Sequence, residues 1–335
     1  MQLGIVVSED TQRFFDEIHQ DLASRYAIST FKPRHVAAPI FNTRINRRLF
    51  YHDLESFLSN QDVVFFEWAS DLLVEATRLP HRTRIITRLH RYEMFQWSSQ
   101  INWDHVDKVI LVSHAMQEKF SARFPEHVHK TAVVHEGVNI QKFQPVDKPY
   151  GRDIGTLCFL SPRKRVYELI LAFAELEQKA PGFHLHIGGD SSQFGDYTDA
   201  LPNLVKKLGL QDRVKFYGAI HDAWDWYKNI DIFVSNSYSE GLQVAPMEAM
   251  ASSRFCLSHH WDGAEELLPE ENLFLTNPQL HEKVLAYDRL VERERRQQQE
   301  KMRALACQNF DMELIKSQIR SIVEEVALGD KSMAV

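Results

Sequence analysis

The sequence is poor in cysteine, and it lacks both a long apolar run and an excess of positive charge. Its three cysteines, Cys158, Cys256 and Cys307, have no paired spacing, so we expect neither a disulfide framework nor a zinc knuckle. No apolar stretch approaches the roughly 18 residues of a membrane span. The net charge of -7 disfavours nucleic-acid binding, which requires a positive balance. The first residues, MQLGIVVSED, lack the basic and apolar regions of a secretory signal, which predicts a cytoplasmic location.

Short apolar, β-branched runs alternate with amphipathic stretches along the chain. The runs are LGIVV, DVVFFEW, RTRIITRLH, KVILVS and TAVVHEG in the first half, and DIGTLCFL, FHLHIGG, VKFYGAI, IDIFVSN and FCLSHH in the second. Such alternation is typical of buried parallel strands connected by helices. A polar, proline-containing stretch at 138–153 separates the two series. We therefore predict an α/β protein with two doubly wound domains in tandem, in which ligands bind beyond the carboxyl ends of the strands.

The segment SEGLQVAPMEA at 239–249 connects a predicted strand to a predicted helix. Pro246 suits the first helical turn, where a missing N–H group is tolerated, and Gly241 permits a tight turn before it. The backbone N–H groups of Leu242 to Val244 would then point out of the helix start, where they could hold an anion. This arrangement predicts a phosphate site.

Two glutamates accompany this segment, Glu240 beside the turn and Glu248 in an early turn of the helix. A carboxylate accepts two hydrogen bonds in a fork, which matches the adjacent hydroxyls of a ribose or a hexose. A nucleotide-sugar has this arrangement of groups, with a diphosphate between two sugars that each carry adjacent hydroxyls. In the alternative interpretation, Glu248 only complements the helix dipole and Glu240 is an exposed loop acid.

Three cations crowd the predicted start of another helix in SPRKR, at 161–165. Arg163, Lys164 and Arg165 would face the positive end of that helix, which is unfavourable unless an anion compensates. We assign Lys164 to the diphosphate, where it would also stabilise charge on the leaving group. The alternative is a solvated basic turn.

The sequence offers no set of ligands typical of a metal site. No Asp-x-Asp motif follows a strand, so metal-assisted departure of a diphosphate lacks its usual ligands. The pairs His127 with His129 and His259 with His260 lack a third ligand at suitable spacing. We therefore predict neither a metal site nor a cofactor.

Taken together, these motifs resemble those of the retaining glycosyltransferases of family 4, which have the GT-B fold and a Glu-x7-Glu motif. Glu240 and Glu248 match that motif. The resemblance, over most of 80–275, is carried by DKVILVSHAMQEKF, HEGVNIQKFQP, CFLSPRKRVYELILAFAEL, LHIGGD, LGLQDRVKFYGAIHD, IDIFVSNSYSEG and DGAEELL. It implies two Rossmann-like domains that face a cleft: an acceptor domain at 1–148 and a donor domain at 152–309. A helix within 310–335 would pack back on the first domain.

The resemblance also implies roles for individual residues. Glu240 would lie beside the hydroxyls of the transferred sugar, Glu248 would hold the ribose, and Lys164 would hold the diphosphate. Backbone amides of a short segment would contact sugar and phosphate; its members are Gly241, Leu242, Gln243 and Val244. His90, in TRLHRYEMF, would lie near the anomeric carbon, with a structural histidine as the alternative.

The chain departs from the family pattern at several positions. The family usually has an arginine at the position of Phe159, and in our hypothesis Arg163 or Arg165 replaces this diphosphate contact. Gln243 and Ser253 replace common small or glycine positions. The usual glycine-rich turn after the first strand is missing, because its place is taken by Ser8, Glu9 and Asp10.

The expected function is metal-independent, retaining transfer of a hexose-type sugar from a UDP- or GDP-linked donor to a saccharide or lipid-linked glycan. Arg91 and Tyr92 are candidates for acceptor binding. The basic amphipathic helix expected at 42–58 could contact an anionic membrane peripherally, or could simply pack on its sheet with its arginines in solvent. Two alternatives to the transferase stay open: a catalytically silent nucleotide-sugar-binding partner, and an epimerase or phosphorylase on the same fold.

Overall fold

The computed structural model describes residues 1–7, 12–37, 42–190 and 193–329, except for the side chains of 12–14. Two compact units divide the chain. The first unit comprises Met1–His135 and Glu313–Val335, and the second comprises Glu136–Met312. Within the described ranges, no helix is long and apolar enough to cross a membrane.

The first unit contains a six-stranded sheet in the order β2-β1-β3-β4-β5-β6, in which all neighbours are parallel. Its strands are β1 (Gln2–Val6), β2 (Ala27–Thr30), β3 (Val63–Phe66), β4 (Arg84–Leu89), β5 (Lys108–Leu111) and β6 (Thr131–Val133). Its first helices are α1 (Gln12–Ala23), α2 (Asn42–Ser59), α3 (Asp71–Ala76), α4 (Arg91–Gln96) and α5 (His114–Arg123). Every residue of β3 is inaccessible to solvent, because helices cover both faces of a parallel sheet.

The second unit has a sheet of the same kind, in the order β12-β11-β10-β7-β8-β9, again with parallel neighbours. Its strands are β7 (Asp153–Leu157), β8 (His184–Gly188), β9 (Val214–Phe216), β10 (Ile232–Ser235), β11 (Phe255–His259) and β12 (Leu273–Phe274). The helices are α6 (Val166–Lys179), α7 (Gly195–Lys207), α8 (Ala223–Tyr227), α9 (Val244–Ala251), α10 (Asn277–Asp288) and α11 (Glu292–Asn309). The prediction of two doubly wound α/β sheets is thus confirmed.

The final helix, α12 (Met312–Leu328), lies almost entirely within the first unit. Its buried residues Ile319 and Val323 add to the core of that unit. Arg320 binds Asp21 of α1 at 2.6 Å, and Glu325 accepts a hydrogen bond from Lys108 of β5 at 2.8 Å. These contacts hold the end of the chain on the first unit.

The boundary between the units falls at His135, before the polar stretch at 138–153 that separates the two predicted series of strands. Hydrogen bonds fix this stretch within the second unit. The Val138 N–H group donates to the Phe310 carbonyl at 2.8 Å, and the buried carboxylate of Asp231 accepts from the N–H groups of Gly151 and Asp153 at 2.9 Å each. This polar stretch is therefore attached to the second unit by hydrogen bonds.

Candidate functional site

The loops that follow β7 and β10 lie side by side, because these strands are neighbours in the sheet, with Phe233 opposite Gly155. Two hydrogen bonds join the loops directly. The Tyr238 N–H group donates to the Arg163 carbonyl at 3.3 Å, and the Asn236 amide donates to the Arg165 carbonyl at 3.0 Å. The topology therefore brings the basic loop beside the loop that carries Glu240.

Glu240 forms the centre of this site and is only 8% exposed. Its Oε1 accepts hydrogen bonds from Lys164 Nζ at 2.7 Å and from Gln243 Nε2 at 2.8 Å. Its Oε2 forms a salt bridge with Arg163, whose guanidinium also donates to the Ser239 carbonyl at 2.9 Å. Burial alone would raise the pKa of Glu240, but the charges of Lys164 and Arg163 outweigh it and lower the pKa to about 2.

Gln243 supports Glu240 through its side chain, a role that the sequence analysis missed. Its amide oxygen accepts from Ser235 Oγ at 2.6 Å, and its amide nitrogen donates to Ser237 Oγ at 3.0 Å as well as to Glu240. The amide is buried and engaged at both ends, so it fixes the Glu240 loop to the end of β10. The sequence signal that could have indicated this role is a group of polar residues around a strand end, namely Ser235, Ser237, Glu240 and Gln243.

Glu248 has different surroundings from Glu240. It lies on α9, which begins at Val244 with Pro246 in its first turn, as expected. Its Oε2 lies 3.0 Å from the hydroxyl of Tyr227, a residue with no exposed surface. Burial raises the pKa of Glu248 to about 7, because the opposing effects of Tyr227 and Lys142 are smaller.

The other residues that were predicted to bind the nucleotide-sugar lie in the same two loops or at the start of α9. Gly241 and Leu242 are buried and Val244 is half-buried. Arg165 caps α6 with a left-handed backbone, at φ 51°, and holds Asn236 through its carbonyl. Arg163 shares the Glu240 carboxylate with Lys164. Phe159 is 47% exposed and contacts Phe194 edge-on.

The glycine pair of LHIGGD has a steric explanation. Gly189 follows β8 with φ +122°, and a Cβ atom there would lie 1.8 Å from the carbonyl oxygen of Cys158. No side chain fits this close approach between the ends of β7 and β8. Ser253, which stands at one of the common small or glycine positions of the family, also has a left-handed backbone, at φ 58°.

In the first unit, His90 follows β4 and forms the N-cap of α4. Its ring stacks on Trp68 with centroids 4.0 Å apart, and its Nε2 lies 3.2 Å from the Glu67 carbonyl oxygen and 3.6 Å from Glu67 Oε1. Glu67 is in turn bound to Arg88 at 2.8 Å, and both side chains are 1% exposed. His90 is thus a strand-end residue held by a buried ion pair, a cluster that the sequence analysis did not identify.

The predicted acceptor residues lie next to His90, on α4. The Arg91 guanidinium lies 5.1 Å from the Phe95 ring centre, and Tyr92 is 64% exposed. The helix expected at 42–58 is present as α2, with Arg44, Arg47 and Arg48 exposed. The altered turn after β1, with Ser8, Glu9 and Asp10, lies outside the described residues.

One histidine of each pair considered above has carboxylate neighbours: His127 lies near Asp104 and Glu126, and His260 belongs to a larger group. His260 Nε2 lies 2.5 Å from Glu265 Oε1, and Glu270 completes a group whose ligand atoms lie within 4.8 Å of one another. Both glutamates are exposed. Since neither lies at a regular interval from His260 on one helix or strand, the sequence did not indicate this group.

Comparisons with known proteins relate part of the chain to glycosyltransferases. Residues 144–306 match the family model described as "Glycosyl transferases group 1". A phosphatidylinositol N-acetylglucosaminyltransferase subunit of Arabidopsis thaliana is 25% identical over 197 residues, covering 57% of this chain and 43% of that protein. D-inositol 3-phosphate glycosyltransferase 2 of Catenulispora acidiphila is 30% identical over 139 residues, covering 36% of this chain and 33% of that protein. The chain thus spans less than half the length of these two relatives.

Among solved structures, the crystal structure of Anabaena Alr3699/HepE in complex with UDP and glucose matches with a TM-score of 0.78 at 18% identity. The match covers 97% of this chain and 100% of that chain. Together with the two parallel six-stranded sheets, it establishes the GT-B fold. The family match supports a relationship between residues 144–306 and the group 1 glycosyltransferases.

Proposed function

We propose that this protein is a retaining glycosyltransferase that transfers a hexose-type sugar from a nucleotide-sugar to a saccharide or lipid-linked acceptor. One observation supports this most strongly. At the carboxyl end of β7, Arg163 and Lys164 converge on Glu240 of the neighbouring β10 loop, within the segment that matches the family model. Two cations beside a carboxylate at this edge of a parallel sheet suit a sugar diphosphate.

The second unit would bind the donor. Arg163 and Lys164 supply charge for the diphosphate, and the N–H groups at the start of α9 supply further donors. Glu248 would hold the ribose, since a carboxylate can accept hydrogen bonds from adjacent hydroxyl groups. Glu240 would bind the hydroxyls of the sugar.

Transfer breaks the bond between the anomeric carbon and a phosphate oxygen, and it forms a bond from that carbon to an acceptor oxygen. Negative charge grows on the departing diphosphate, where Lys164 and Arg163 would stabilise it without a metal ion. In keeping with the family resemblance, we propose that the acceptor attacks from the face that the diphosphate leaves, and that a phosphate oxygen takes the acceptor proton. His90, Arg91 and Tyr92 remain proposed positions for sugar and acceptor contacts.

The donor can be identified by thermal unfolding in the presence of UDP, GDP and their sugars, because a ligand of the native state raises stability. We expect one nucleotide series to raise the melting temperature of the wild type and of Lys207→Ala, a control at an exposed position on α7. The same series should raise the melting temperature of Lys164→Ala much less, at equal ligand concentration. Equal shifts in both variants, or no shift with any nucleotide, would contradict the proposed site.

A second candidate is a silent nucleotide-sugar-binding partner. The exposed Phe159 favours it, because the resemblance expects an arginine that contacts the diphosphate at this position. Incubation with the donor that thermal unfolding identifies would distinguish the two functions. Release of free nucleoside diphosphate, lost in Glu240→Ala, supports the enzyme; binding without release under any acceptor supports the silent partner.

A further inference from the structure

The cations of the candidate site are engaged with an acid of the same chain. Lys164 Nζ lies 2.7 Å from Glu240 Oε1, and the Arg163 guanidinium binds Glu240 Oε2. Each carboxylate oxygen therefore holds one of the two cations. A diphosphate would need these same two groups, since it too offers neighbouring anionic oxygens that accept charge-assisted hydrogen bonds.

Solvent access differs between the members of this cluster. The Arg163 and Lys164 side chains are 31% and 15% exposed, whereas the Glu240 side chain is 8% exposed. An incoming anion can therefore reach the cations from solvent. Two cations and one carboxylate also leave the cluster with one positive charge, which attracts an anion even while the salt bridges are intact.

Glu240 has a partner that does not compete for phosphate. Gln243 donates to Glu240 Oε1 at 2.8 Å and is itself fixed by Ser235 and Ser237. If Arg163 and Lys164 turn to a ligand, this amide still satisfies one oxygen of the buried carboxylate and keeps it beside the site. The other oxygen becomes available to a hydroxyl group.

We propose that Glu240 is an internal counter-ion, which the diphosphate of the donor displaces from Arg163 and Lys164. Displacement frees the carboxylate to bind the sugar. A complete donor therefore replaces the lost salt bridges twice: its diphosphate binds the two cations, and its sugar hydroxyls bind Glu240. A free diphosphate binds the cations but leaves Glu240 without a new partner in their place. The inference rests on the proposed function, and it makes the Glu240 salt bridge a device that favours the intact donor over the diphosphate product.

Inorganic pyrophosphate tests this displacement without knowledge of the donor. Calorimetric titration at pH 8 in metal-free buffer would compare the wild type with Glu240→Gln, which keeps the shape and the hydrogen-bonding oxygen of the side chain but removes its charge. We expect Glu240→Gln to bind pyrophosphate at least tenfold more tightly than the wild type. Glu282→Gln, which removes an exposed charge on α10, should bind as the wild type does.

Two further variants define the site. Glu240→Asp keeps the charge and should restore weak binding, and Lys164→Ala in the Glu240→Gln background should remove the gain. Equal or weaker binding by Glu240→Gln, or a gain that Glu282→Gln shares, overturns the displacement. Absence of pyrophosphate binding in every variant also overturns it.

These outcomes are separable from the fate of the proposed function. A tenfold gain in a protein that releases no diphosphate from any nucleotide-sugar supports the counter-ion and contradicts the enzyme. Donor turnover without the gain supports the enzyme and contradicts the counter-ion. Circular dichroism of each variant verifies that the fold is intact. In Glu240→Gln, the new amide oxygen can still accept a hydrogen bond from Lys164, Arg163 or Gln243, so the loop should keep its conformation.

Discussion

Each unit places a glutamate and an arginine together at the carboxyl ends of its strands, but the two pairs differ in solvent access. Glu67 follows β3 and binds Arg88 of β4, and both side chains are 1% exposed. Glu240 follows β10 and binds Arg163 and Lys164, which are 31% and 15% exposed. The first pair is closed to solvent, and the second is open to it on the cationic side.

This difference predicts a structural role for the first pair and is consistent with the ligand-binding role that we propose for the second. A buried pair cannot exchange its partner with a dissolved anion, so Arg88 and Glu67 serve to hold the end of β4 and the neighbouring His90. Arg163 and Lys164 are partly open to solvent, so a dissolved phosphate can reach them and replace their carboxylate partner. Solvent access, more than residue type, therefore identifies the cations that suit a diphosphate.

The largest effect on stability is expected from Arg88→Met. The change leaves the Glu67 charge buried without its guanidinium, which typically costs about 3–5 kcal/mol. Urea unfolding of the variant and of Arg88→Lys, which keeps a charge, would measure the loss. A loss of less than about 1 kcal/mol in Arg88→Met would remove the contrast between the two pairs.

Glu248 extends the comparison to an acid that forms no salt bridge in the described structure. Its pKa is about 7 in the folded chain, above the usual 4.5, so the folded state binds the extra proton. Its contribution to stability is present below about pH 4.5 and is lost as the pH rises through about 7. The change amounts to roughly 3 kcal/mol, from 1.36 kcal/mol per pKa unit.

Unfolding of the wild type and Glu248→Gln between pH 5 and pH 8 would measure this contribution. We expect the wild type to lose stability relative to the variant as the pH rises, because the glutamine has no proton to lose. Parallel profiles for the two proteins would show that Glu248 is better solvated than its burial against Tyr227 implies.

The smallest effect on stability is expected from Lys164→Met. Glu240 keeps Arg163 and Gln243 as partners after this change, so the free energy of unfolding should fall by less than it does in Arg88→Met. The same urea titration would measure it. A loss as large as that of Arg88→Met would make the Glu240 cluster structural, and the comparison would fail.

Much of the architecture could be predicted from local sequence, because a strand covered on both faces must be apolar throughout. β3 and β10 are buried along their whole length and lie within apolar runs. The sheet-edge strands β2 and β12 were not predicted. β2, with the sequence AIST, is partly exposed at every position, and β12 has only two residues, so neither produces a clear pattern.

The candidate site was predictable in its members but not in its contacts. Turn chemistry and the adjacent predicted helices indicated Lys164, Glu240 and Glu248. The salt bridge between Lys164 and Glu240 joins residues 76 positions apart, and only the order of strands in the sheet brings them together. Glu67 gave no signal, since an acid after a strand is usually solvated and its burial depends on the tertiary packing around it.

The central claim is that Lys164 and Arg163 form the diphosphate site. Calorimetric titration of the wild type, Lys164→Met and the control Lys207→Met with the nucleoside diphosphate found by thermal unfolding tests it most directly. We expect the wild type and the control to bind equally, and Lys164→Met to bind about 100-fold more weakly, since charge-assisted hydrogen bonds contribute roughly 1.5–3 kcal/mol each. Equal affinity in Lys164→Met would contradict the account.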